Sequence, residues 1–112
     1  MAQTSESTGM IEELPYYEIP AYPDSYTAGN VLARVVDGLG FRYFWATEGL
    51  RPEDLAFKPN EEARTSNETI DHILGLTDVL LNAVSGKANV RPIEGPDLSF
   101  DEKRRKTLVN IK

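Results

Sequence analysis

One stretch limits what this chain can fold into more than any other: Thr65 to Gly86, TSNETIDHILGLTDVLLNAVSG. Thr65 is followed three positions later by Glu68, the spacing of a capping box, with Ser66 as a competing N-cap. Ile70, Ile73, Leu74, Thr77, Leu80, Leu81 and Val84 recur at steps of three and four and draw an apolar stripe along one helix face. Gly86 supplies a residue that accepts the left-handed conformation on which helices commonly end. Leu76 and Val79 widen the stripe toward the side that carries Glu68 and His72. His72 is the only histidine, and the spacing puts it at the border of the stripe. A lone histidine there reads as a partly buried imidazole satisfied by a backbone carbonyl, by water or by Glu68. One imidazole does not make a transition-metal site.

The remainder of the chain predicts more helix. A first helix begins near Ser25 or Thr27 and runs to about Gly49. Its core stripe is read as Leu32, Val35, Val36, Leu39, Tyr43, Ala46 and Leu50, with Phe41 and Trp45 pointing elsewhere. Gly38 and Gly40 each weaken a helix by about 1 kcal/mol relative to Ala, which suggests close approach of another helix or a kink. Pro52 suits the first position of a short turn, with Glu53 and Asp54 favourable at its start. Phe57 to Pro59 reads as extended chain. A third helix starts at Ser99, where Glu102 completes a second capping box. Phe100, Thr107, Leu108 and Ile111 should face inward, Lys103, Arg105 and Lys106 outward, with Arg104 snorkelling. The roughly dozen residues between Gly86 and Ser99 are long for adjacent antiparallel helices and suit a crossover along a bundle.

Five of the 18 acids and none of the 12 bases fall in residues 1–24, so this segment carries most of the net charge of −6. Residues 1–13 are polar and small and read as disordered. Pro15, Pro20 and Pro23 then interrupt a run holding Tyr16, Tyr17, Tyr22 and Tyr26, which reads as an extended, adhesive arm lying across the body. The organisation is thus an arm over 1–24 and a helical domain over 25–112. The nearly neutral body lacks the basic surface that nucleic-acid binding requires. No apolar run approaches a membrane span, and the N-terminus has neither the basic nor the apolar region of a signal peptide. Absence of Cys excludes disulfides and fits a cytoplasmic protein. The third helix is still periodic at Ile111, so the domain reads as truncated there or completed by another chain, with a homodimer through Leu108 and Ile111 expected.

The succession EGLRPEDLAFKPNEEARTSNETIDHILG resembles the DinB-like, or YfiT-like, superfamily: a helix, then Leu50 to Leu55, then Phe57 to Pro59, then a capped helix with a histidine at His72. The resemblance covers residues 25 to 86, with weaker support to 112. It implies an all-α, up-down four-helix bundle, of which three helices are predicted here. It implies a divalent metal, often nickel or zinc, held by three histidines, one of them matching His72. Metal-dependent hydrolysis or thiol transfer and dimer formation are further implications. The family's HxxxH pair on the last helix has no counterpart here, so this chain alone is expected to bind no metal. The alternative is a non-catalytic helical module that dimerises.

Overall fold

The computed structural model describes residues 13–89 and 98–112, and the regular elements among them are all helices. They are α1 (Ala28–Thr47), α2 (Pro52–Leu55), α3 (Ser66–Ser85) and α4 (Phe100–Ile111). Each long helix begins on a side-chain cap that leaves fewer orphan N–H groups. Thr27 Oγ1 accepts the Asn30 N–H at 3.2 Å. Thr65 and Ser99 each form the reciprocal box, with Glu68 and Glu102 bonding back to the cap N–H at 2.8 Å. Gly86 ends α3 at φ 72°. At α2 the Asp54 carboxylate takes both the Arg51 backbone N–H and its guanidinium, which together hold that carboxyl down at about 2. The expectations for residues 1–12 and for Pro92 to Pro96 lie outside the described residues.

The shortest of the three main helices organises the rest. α4 packs between α1 and α3. Asp71 on α3 meets Lys103, and Asp78 meets Asn110, so α3 and α4 run parallel. Arg104 meets Thr47 and Glu48, while Ile111 lies near Asp37 through Tyr16, so α1 runs antiparallel to α4. The start of α4 thus sits beside the start of α3.

This arrangement corrects several expectations. Lys103 and Arg104 do not face solvent or snorkel; they are 4% and 7% exposed. A helix covered on two sides has little free circumference, so positions that a single apolar stripe would leave outside are enclosed. Leu108 and Thr107 are fully buried within the chain, which removes Leu108 from any interface between copies. On α1 the buried positions are Gly40, Tyr43, Phe44 and Thr47, whereas Leu32, Val35, Leu39 and Ala46 are exposed. The buried face is turned by about one residue because α4 and Tyr16 both pack on the side that carries Gly40. On α3 only Ile70, Leu74 and Thr77 are buried. At about 1.5 Å per residue, the 12 residues of α4 span about 18 Å against about 30 Å for α3, and the uncovered end carries Leu80, Leu81 and Val84 in solvent.

The arm supplies part of the core. Tyr16 is buried and sits with its ring on the α1 backbone at Gly40, where a Cβ would come within 2.5 Å of it. The close approach expected of the glycine pair is therefore made by an arm tyrosine. Its hydroxyl donates to Asp37 Oδ1 at 2.8 Å. Tyr16 has φ 77°, a left-handed conformation that costs a non-glycine residue about 1–2 kcal/mol and that burial of the ring offsets. Tyr17 lies 5.3 Å from Trp45 and 5.8 Å from Phe44 between ring centres, and its carbonyl accepts the indole N–H at 3.1 Å. Arg34 completes the attachment, with its guanidinium over the rings of Tyr22 and Tyr26 and a 2.6 Å bond to the Pro23 carbonyl. No helix among the described residues is long and apolar enough to cross a membrane.

Candidate functional site

His72 lies in the second turn of α3 and is exposed, not at the edge of the core. The part of the stripe that is buried, Ile70, Leu74 and Thr77, faces α4, and the imidazole lies outside it. Both nearby acids are engaged elsewhere. Glu68 closes the capping box with Thr65. Asp71 points to α4, where its Oδ1 lies 2.6 Å from Lys103 Nζ. Among the described residues no group of three or more His, Cys, Asp or Glu side chains is arranged to hold a metal ion. The described residues by themselves do not fit a resident transition metal, because such a site takes three or more protein ligands and no such group stands among them.

The concentrated polar chemistry lies on α4, which the sequence pattern presents as a solvated face. Lys103 bridges to Asp71 and lies 3.5 Å from Asn67 Oδ1. Two helical turns on, the Asn110 amide donates to Asp78 at 2.7 Å and to Thr77 Oγ1 at 3.1 Å. Lys106 adds a looser contact to Asp78 at 3.8 Å. These pairs zip α4 to α3 along its buried edge.

Arg104 serves the opposite side. Its Nε donates to Thr47 Oγ1 at 2.7 Å, and Nη2 donates to the Phe44 carbonyl at 2.9 Å and to Glu48 Oε1 at 2.7 Å. The guanidinium stacks over the Phe44 ring at 4.5 Å. The Phe44 carbonyl and the Thr47 hydroxyl belong to the last turn of α1, where a helix presents negative partial charge, so a cation there is favourably placed. Beside it Tyr43 is buried, and removal from water pushes its phenol up, opposed by Thr107 and by the charge of Arg104. Tyr16 is shifted the same way, by burial first and then by the Asp37 hydrogen bond and charge.

A cavity of about 400 Å³ opens next to Arg104, between the arm, the end of α1 and α4; Leu14, Tyr17, Phe44, Glu48 and Arg104 line it. A second, of about 470 Å³, lies where α2 meets the starts of α3 and α4, with Leu55, Phe100 and Lys103 in its wall. Sequence reasoning locates neither. The one available signal is indirect: Glu48, Asp71 and Asp78 have no base four residues away, so a partner for any of them comes from elsewhere in the fold.

No family model, no curated protein and no solved structure matches the chain.

Proposed function

We propose that the chain is a DinB-like helical domain. A single observation carries the reading: the order of elements from α1 to α3. A long helix is followed by a one-turn helix over Pro52–Leu55, by the Phe57–Pro59 segment, and by a capped helix with His72 in its second turn. Parallel α3 and α4 joined by a long connection are compatible with a bundle of that type. On this reading His72 is one ligand of a divalent metal used for hydrolysis or thiol transfer, and two further ligands come from another polypeptide segment or a second copy. Exposure of the imidazole leaves it accessible for that. The described residues do not hold the metal by themselves, so no reaction step is assigned to them.

A second reading is a non-catalytic module that forms homodimers. It is favoured by the outward apolar residues of α1: Leu32 and Val35 are 63% and 64% exposed, with Leu39 one turn on. Exposed apolar stripes of this kind mark interaction surfaces. A two-fold dimer is the commonest way to cover one.

Elemental analysis of the purified protein together with light scattering separates the two. Stoichiometric zinc or nickel that is lost in His72→Ala supports the metal reading. A metal-free dimer that is unaffected by His72→Ala supports the second and counts against the first.

A further inference from the structure

We propose that the cavity beside Arg104 binds a small monocarboxylate with an aromatic body, the carboxylate taking the place that the Glu48 side chain holds on the guanidinium. The site uses no residue of the His72 reading and stands independently of it.

The cationic group is built in advance. Arg104 is nine-tenths buried as a side chain, and its guanidinium is fixed by Thr47 Oγ1, the Phe44 carbonyl and the Phe44 ring. A ligand therefore meets a donor that is already ordered, which reduces the entropy lost on binding. Two of its three acceptors belong to α1 and are buried. The third, Glu48, is a half-exposed side chain at the C-cap of α1. Being the only one of the three that solvent reaches, Glu48 is the exchangeable partner. The position it occupies, 2.7 Å from Nη2, is carboxylate-shaped, and a ligand carboxylate reproduces the same charge-assisted hydrogen bond.

The rest of the lining selects the body of the ligand. Leu14, Tyr17 and Phe44 form a mostly apolar wall, with the Tyr17 and Phe44 rings edge to face at 78°. A third ring entering such a pair gains offset or edge contacts. The volume of about 400 Å³ is at the small end of the ligand-site range of roughly 300–1,000 Å³. Glu13 and Arg105 also line the cavity and carry opposite charges, so Arg104 with Glu48 remains the polar pair of the site.

Trp45, whose ring centre is 5.3 Å from that of Tyr17 and 5.1 Å from that of Phe44, is the reporter. The full chain is titrated with benzoate, and with benzamide as the uncharged isostere, while Trp45 emission is followed. Benzoate is expected to saturate, and benzamide to bind about tenfold more weakly, the equivalent of one charge-assisted hydrogen bond. Because Arg104 is buried between two helices, the variant is Glu48→Gln, at a half-exposed position. It removes the competing carboxylate and should tighten benzoate about threefold or more, a larger gain than for benzamide, which carries no charge for Glu48 to repel. Absence of saturable binding overturns the proposal. So does equal affinity for the two compounds, and so does a Glu48→Gln protein that binds benzoate no more tightly than the parent.

Discussion

Tyr16 and Gly40 are packed so closely that the ring of one occupies the space a methyl group would need on the other. The two residues are far apart in sequence, and their contact joins the arm to α1 at the point where α1 also meets α4. A Cβ at position 40 would strike the middle of the ring, not a flexible end. Gly40→Ala should therefore destabilise the protein: overpacking costs about 1–3 kcal/mol and outweighs the gain of up to about 1 kcal/mol in helix propensity. Gly38→Ala is the control. Its Cβ would meet only the far end of Arg42 at 3.1 Å, which can move aside, so this change should raise stability by up to about 1 kcal/mol. Urea unfolding of both variants checks the opposite signs.

Tyr16 also sets a pH dependence. Burial, and secondarily the Asp37 hydrogen bond and charge, raise its phenol above the ordinary value of 10.0. A group whose folded-state value is raised contributes stability that is present below its unfolded value and lost as pH rises past it. Stability should thus fall as pH is raised above 10, and Tyr16→Phe should flatten part of that fall. Tyr43 is shifted in the same direction and remains in both proteins. Below about pH 9 the Phe variant should be less stable by about 1 kcal/mol, for the lost hydrogen bond. Chemical denaturation across the pH range measures both effects.

The Lys103–Asp71 pair is expected to behave as a buried ion pair. Asp71→Ala leaves the enclosed ammonium with only Asn67 at 3.5 Å and should cost about 3 kcal/mol or more. Lys103→Met should cost less, because Asp71 retains some contact with water. Combining Lys103→Met with Asp71→Leu should recover most of the loss, since an apolar pair of similar volume replaces both charges. A double-mutant cycle gives the coupling directly.

Assembly has its own test. Val35→Glu places a charge on the exposed stripe of α1, at a side chain that is mostly in solvent, so chain stability should change by less than about 0.5 kcal/mol. If the stripe is the dimer surface, light scattering should move from the mass of two chains to that of one. The same mass for both proteins counts against dimerisation through α1.

Local signals are enough to place the helices. Thr27, Thr65 and Ser99 act as caps through a side-chain oxygen three residues from its donor, Gly86 ends α3 through its own backbone freedom, and Pro52 opens α2. Each is settled within a turn of chain, so the residues specify it alone. Which face of each helix is buried is not settled this way. α1 and α3 carry apolar residues over more circumference than one neighbour can cover, and their periodicity fits several orientations. Only the lodging of α4 between them, and of Tyr16 on Gly40, selects Tyr43, Phe44 and Leu74 over Leu32, Val35 and Val84. The same step encloses Lys103 and Arg104, whose charges read as surface until Asp71 and Glu48 are brought from 32 and 56 residues away. Sequence names His72 because a lone histidine is visible in any alphabet. The cavity beside Arg104 requires three segments to converge, and convergence is a property of the packed chain.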